Sequence, residues 1–164
     1  MDAEPGEGSA VYERVMHVAA SPETVFELLT DPDAFSSWMG IVVEFDARPG
    51  GVVRIDLGVA VIRGEVVEVV PGRRVVFTWG WEGDRVPLPP GSSEVAFELV
   101  AEGEGTTVRL RHSGLHGALR AFHAYGWSLF LPRLVEVACG RDAGAWPLTP
   151  ETAAEALAIL RPAR

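Results

Sequence analysis

The chain has no lysine, no asparagine and no glutamine, and one cysteine among its 164 residues. Each absence removes a chemistry. Without lysine there is no Schiff-base nucleophile and no lysine general base, and all 14 basic residues are arginine. Without side-chain amides, nothing of that type can stabilise an oxyanion or read an adenine edge. A lone Cys139 excludes an internal disulfide framework. Basic residues are also few: 14 against 23 acids, for a net charge of −9. Nucleic acid is therefore excluded as a partner, because phosphate contacts would supply most of the affinity. The same charge disfavours anionic membrane surfaces. No stretch approaches the roughly 20 apolar residues of a membrane helix, so no insertion is expected. The opening MDAEPGEGSA is acidic and glycine-rich, the opposite of a secretory signal, which implies a cytoplasmic protein.

What remains is globular: 48% apolar and 23% charged residues. A chain of this length suits one domain and buries about 70% of its unfolded surface, enough for a core with a modest cavity. Residues 1–10 read as a disordered lead-in, 11–139 as the domain, and 140–164 as a tail with its own short helix. Val11–Ala19 reads as a strand. Ser21-Pro22-Glu23 starts a helix through a cap, a favourable first position and a dipole-matched acid. Asp31-Pro32-Asp33 starts a second one, ending near Trp38.

Strands follow. Val43 and Phe45 share a face, as do Val53, Ile55 and Leu57, and Arg48-Pro49-Gly50-Gly51 turns between the two runs. Val59–Val70 is long, and Gly64 predicts a bulge or bend within it. Val75, Phe77, Trp79 and Trp81 share a face, then residues 82–92 form a Pro/Gly loop. Two more strands end at His112. Short turns make this an antiparallel meander with one covered face. The one element long enough to cover it is a helix over Leu115–Ala138, with Leu115, Leu119, Phe122, Gly126, Phe130, Leu134 and Val137 as its inner stripe. Thr149-Pro150-Glu151 starts the tail helix, whose apolar edge of Ala153, Leu157 and Leu160 fits the body or a second copy of the chain, as in a homodimer.

Candidate functional residues converge where the last strand meets the long helix. His112 points inward with Val108 and Leu110. His116 and His123, seven residues apart, stack on the helix's inner face near Trp127. They are about 10.5 Å apart along the axis, too far to share one ion, and neither a cysteine nor a well-placed acid completes a metal site. Gly126 lets helix and sheet approach closely. Ser113 follows His112 without a nucleophile elbow, and no glycine-rich phosphate loop precedes a helix. No metal or cofactor is expected. Trp38, Phe45, Ile55, Leu57, Phe77, Trp79, Trp81, His112, His116, His123 and Trp127 are the candidate lining of a cavity for a small hydrophobic or aromatic molecule.

Several of these pieces occur in a recognisable order: Ala20-Ser21-Pro22-Glu23-Thr24-Val25-Phe26, Thr30-Asp31-Pro32, Trp38, Arg48-Pro49-Gly50-Gly51, Gly64-Glu65-Val66, Val76-Phe77-Thr78-Trp79, Arg111-His112-Ser113-Gly114-Leu115 and Gly126-Trp127. Over residues 11–138 the chain resembles the START-like (SRPBCC) superfamily, in its heat-shock-protein-90 ATPase activator-like branch. The resemblance implies an α+β helix-grip fold, a seven-stranded antiparallel sheet around a long C-terminal helix with a cavity between. Relatives include lipid carriers, hormone-binding proteins and polyketide aromatase/cyclases. Co-chaperones of the branch carry a separate N-terminal domain for which this chain leaves no room, so a chaperone partner is not expected. Three readings are ranked: a ligand-binding module, a cyclase- or hydrolase-like enzyme in which a pocket histidine moves a proton, and a protein-interaction domain.

Overall fold

A computed structural model describes residues 10–162. Of the expected lead-in at 1–10, residues 1–9 lie outside the described residues, while the Ala10 carbonyl accepts from Leu115 N at 2.8 Å. The elements are β1 (Val11–Val18), α1 (Pro22–Thr30), α2 (Pro32–Ser36), β2 (Val42–Phe45), β3 (Val52–Asp56), β4 (Val61–Val70), β5 (Arg74–Trp81), β6 (Ser93–Glu102), β7 (Gly105–Ser113), α3 (Ala118–Ala138) and α4 (Pro150–Ile159). The strands form one seven-stranded sheet in the order β1-β7-β6-β5-β4-β3-β2, every neighbour antiparallel. With α3 gripped by this curved sheet, the fold is a helix-grip α+β fold.

The caps act as their sequence predicts. Ser21 Oγ accepts from Thr24 N at 3.2 Å, and Asp31 Oδ1 from Ala34 N at 3.0 Å. Each satisfies a donor that the first helical turn leaves without a partner. The inner face carries the core, while the outer face is charged. There Arg74 pairs with Glu68 and Glu98, and Arg111 with Glu13.

Three expectations change. The register shift in β4 falls between Val66 and Glu68, not at Gly64. Gly64 instead sits where a Cβ would lie 1.7 Å from the Thr78 carbonyl oxygen, so it permits close backbone approach. The long helix begins at Ala118, three residues later than its apolar period suggests. Gly117 has φ +59°, which a helix cannot accommodate and glycine adopts at little cost. The buried side of α3 is also rotated: Phe122, His123, Trp127, Phe130, Leu131, Leu134 and Ala138 are its buried residues. The tail packs on the body, with α4 lying against α3.

Candidate functional site

The interior holds two neighbouring but different regions. The first is a packed aromatic column. Phe35 lies 4.9 Å from Trp38 and 5.8 Å from Phe45, Phe45 lies 5.4 Å from Phe77, and Phe77 lies 6.4 Å from Trp79, centroid to centroid. The Trp38 indole donates to the Leu28 carbonyl at 2.8 Å. Trp38, Phe45, Ile55 and Phe77 are thus buried core residues packed on one another, and they are not among the residues that line the cavity described next. Their apolar alternation identifies an inward face, and inward faces pack before they line anything.

The second region is a cavity of ≈ 110 Å³. Its sheet wall is Trp79 and Trp81 of β5, with Leu57, Val59 and Ala60 beyond. Arg85 and Val86 of the 82–92 loop close one side. From α3 come Phe122, His123, Tyr125, Gly126, Trp127, Leu129 and Phe130; from the tail, Leu148, Ala153, Ala156 and Leu157. A water needs about 10–15 Å³ by this kind of measure, so the space exceeds an ordinary packing gap several-fold. Gly126 does not bring helix and sheet together as expected: a Cβ there would meet nothing within 4 Å. The glycine widens the cavity.

The histidines separate. His116 precedes α3 and is exposed, so it neither stacks on His123 nor faces inward. The left-handed Gly117 breaks the helical phase on which that expectation rested. His112 and His123 do meet, ring centroids 4.9 Å apart and nearly perpendicular. Both are buried, at 0% and 3% exposure. His112 lies behind the cavity wall and His123 lines it.

Every ring nitrogen of this pair is committed. Trp127 Nε1–H donates to His112 Nδ1 at 3.1 Å. His112 Nε2 lies 2.9 Å from Ser93 Oγ, and that hydroxyl donates its hydrogen to the Trp79 carbonyl at 2.8 Å. His112 must therefore carry its proton on Nε2. On the other ring, Trp81 Nε1–H donates to Nε2 of His123 at 3.0 Å, so Nδ1 holds the proton and donates to the Leu119 carbonyl at 2.7 Å. The two imidazoles are opposite tautomers, both neutral. Burial drives the His112 pKa well below its ordinary value, and the neighbouring His123 adds to the shift. Burial pushes His123 down to about 4, against a smaller opposing effect of its bond to Leu119. A second proton on either ring would face an indole N–H. Neither has a lone pair left for substrate, so the arrangement is ill suited to acid–base catalysis.

Of the eleven candidate residues, Leu57, Trp79, Trp81, His123 and Trp127 line the cavity. Sequence reasoning missed the tail. Arg133 holds it, donating to the carbonyls of Ala143, Gly144 and Ala145 at 3.2, 3.0 and 2.8 Å and to that of Trp38 at 2.9 Å. The guanidinium also lies 5.6 Å from the Trp146 ring. Tyr125 Oη donates to Glu155 Oε2 at 2.5 Å, tying α3 to α4 and raising the phenol's pKa. Among the described residues, no group of three or more His, Cys, Asp or Glu could hold a metal, and no helix is long and apolar enough to cross a membrane.

A family model described as Activator of Hsp90 ATPase homolog 1-like protein matches residues 19–138. An AHSA1-like protein from Rhizobium etli, solved by solution NMR, is 39% identical, with 88% of this chain and 93% of that chain covered at a TM-score of 0.66. DynU16, a protein of the dynemicin biosynthetic locus, is 26% identical over 89% of this chain at a TM-score of 0.70, and the match spans 60% of DynU16. The Aha1 dimer from Colwellia psychrerythraea, also solved in solution, shares the fold at 22% identity and a TM-score of 0.67, over 78% of this chain and 95% of that one. No curated protein matches the chain.

Proposed function

The chain belongs to the Activator of Hsp90 ATPase homolog 1-like family, and on that premise we propose that it binds a small hydrophobic or aromatic molecule between β5, the 82–92 loop, α3 and α4. The observation that carries this reading is that the cavity is kept open at a cost. Interiors pack to crystal density, and unfilled volume forfeits dispersion contacts. A glycine inside a helix costs a further ~1 kcal/mol relative to alanine. Gly126 accepts that penalty where a larger side chain would meet nothing, and small Ala153 and Ala156 line the facing wall. The tail, through Leu148, Ala153, Ala156 and Leu157, then belongs to the binding unit and is not an appendage to it.

The enzymatic alternative requires a pocket histidine with a free nitrogen, and His112 and His123 have none. Binding of naphthalene and 1-aminoanthracene, followed by native mass spectrometry and fluorescence, tests the ligand reading. One-to-one binding is expected, and Gly126→Leu, whose side chain enters the open volume, should weaken it at least tenfold without unfolding the protein. Binding unaltered in Gly126→Leu, or absent from the native protein, would refute it.

A further inference from the structure

Polar groups are scarce in the cavity's lining, and nearly all are spent. Both ring nitrogens of His123 are engaged, and the Trp81 and Trp127 indoles donate to the histidine pair. The Trp79 indole nitrogen is sealed inside the wall, and Tyr125 gives its hydroxyl to Glu155. Arg85 is the exception. It is the one cationic residue in the lining, and among the described residues no hydrogen bond or ion pair engages it. Glu82 of the same loop is committed to Arg63. The place of Arg85 is the cavity's mouth. Trp81 pairs with Ile62, and Glu82 N donates to the Val61 carbonyl at 2.9 Å. The turn before β4 and the 82–92 loop after β5 therefore leave the sheet at the same end. The lining residues they contribute are graded: Leu57 and Val86 are buried, whereas Val59 and Arg85 are exposed. The loop backbone is pinned there. Trp81 N donates to the Leu88 carbonyl at 2.7 Å, and Gly80 admits the loop where a Cβ would lie 1.9 Å from the Pro89 carbonyl oxygen.

We propose that the ligand is an amphipathic carboxylate, with its apolar ring system inside the cavity and its carboxylate at the mouth, paired with the Arg85 guanidinium. This rests on the binding reading above and narrows it from hydrophobic molecules in general to acid-bearing ones. An anion carried deeper would lose its water without gaining a partner, because the interior donors are committed. At the mouth it keeps part of its hydration and meets a planar fork of donors matched to a carboxylate. The apolar wall then supplies most of the affinity, and Arg85 selects the head group. That selection is modest, because the pair is open to solvent and Asp84, the preceding residue in the loop, is an exposed acid.

The matched pair 2-naphthylacetate and 2-naphthylacetamide, alike in ring and shape but not in charge, separates the mouth from the cavity. Naphthalene, which has no head group, gauges the cavity alone. The native protein should bind the carboxylate about fivefold more tightly than the amide. In Arg85→Gln the two should bind alike; Arg85 is exposed, so this variant keeps the core. In the native protein the preference should shrink at about 0.5 M salt, as it does for exposed ion pairs. Naphthalene binding without a carboxylate preference overturns the head-group inference and leaves the cavity reading intact. A preference that survives in Arg85→Gln, or that ignores salt, does the same. Failure of all three compounds to bind overturns the two readings together.

Discussion

The sheet-side wall of the cavity and its tail-side wall differ in how each side chain is held. On the sheet side Trp79, Trp81 and His112 interlock with His123 and Trp127 of α3 by ring contacts and directional hydrogen bonds, and all five are buried. On the tail side α4 contributes no buried residue. It rests on α3 through half-buried Ala153, Ala156 and Leu157 and one surface hydrogen bond from Tyr125 to Glu155. One wall is a fixed polar-aromatic lattice and the other is a lightly held cover. The second is the wall expected to open first, since regions with few buried contacts are those that open locally.

The contrast breaks most visibly at His112. Replacing it with leucine keeps similar volume but strands the Trp127 donor and removes the partner of Ser93. We expect a loss of about 3 kcal/mol, or a Tm lower by roughly 6–12 °C, in thermal and urea unfolding. Leu157→Ala, on the tail wall, should cost about 1 kcal/mol because its site is half-buried and can relax toward solvent. If the two variants lose equal stability, the walls are not built differently.

Acid provides a second probe of the same lattice. A histidine whose folded pKa lies below its unfolded value is neutral in the native state and takes up its proton on unfolding. The unfolded state then binds more protons below pH 6.5, so stability rises with pH through that window. For His123, shifted from 6.5 to about 4, stability should be full above pH 7 and fall by about 2 kcal/mol by pH 5. His112 is shifted in the same direction and steepens the loss. Urea unfolding at pH 7.5 and 5.0 measures this, above the range where most carboxylates titrate. A flat response would mean that the imidazoles are not buried as neutral groups.

These two regions were unequally legible in the sequence. Strand alternation identified β5 and β7, and Ser21, Asp31 and Thr149 marked helix starts with their own side chains. Those signals are local, carried by two to four residues. The rotation of α3 was not legible, because it is covered by the sheet on one side and by the tail on another, which leaves apolar residues around much of its circumference. His116 followed from extending that period across Gly117, where the backbone leaves the helix. The distinction between Trp38, which packs, and Trp79, which lines, depends on partners 10 and 44 residues away, Leu28 for Trp38 and His123 for Trp79. Spacing carries no record of them. The tail wall was hidden by its smallness: Ala153 and Ala156 give almost no periodic signal, yet their lack of bulk leaves room for the cavity.

The cover itself is sharpened by Arg133. Its guanidinium fans across three successive carbonyls at 143–145 and reaches back to Trp38, joining the tail to the body before α4 begins. Backbone carbonyls near the surface can recover water when the guanidinium goes, so Arg133→Leu should cost only about 1–2 kcal/mol globally. The local effect should be larger than the global one. With the anchor gone, α4 is left with its apolar contacts and the Tyr125–Glu155 bond, and the segment from Arg141 to Thr149 should open to limited proteolysis while the sheet core stays resistant. Arg133→Lys should behave like the leucine variant, because Nη1 takes the three tail carbonyls while Nε takes that of Trp38, and a single ammonium cannot bridge both sides at once. Ligand dissociation should quicken in both variants, since the tail wall is loosened while the aromatic wall is untouched. Unchanged protease resistance would mean that the tail is held by packing alone, and the two walls would then differ in chemistry but not in mobility.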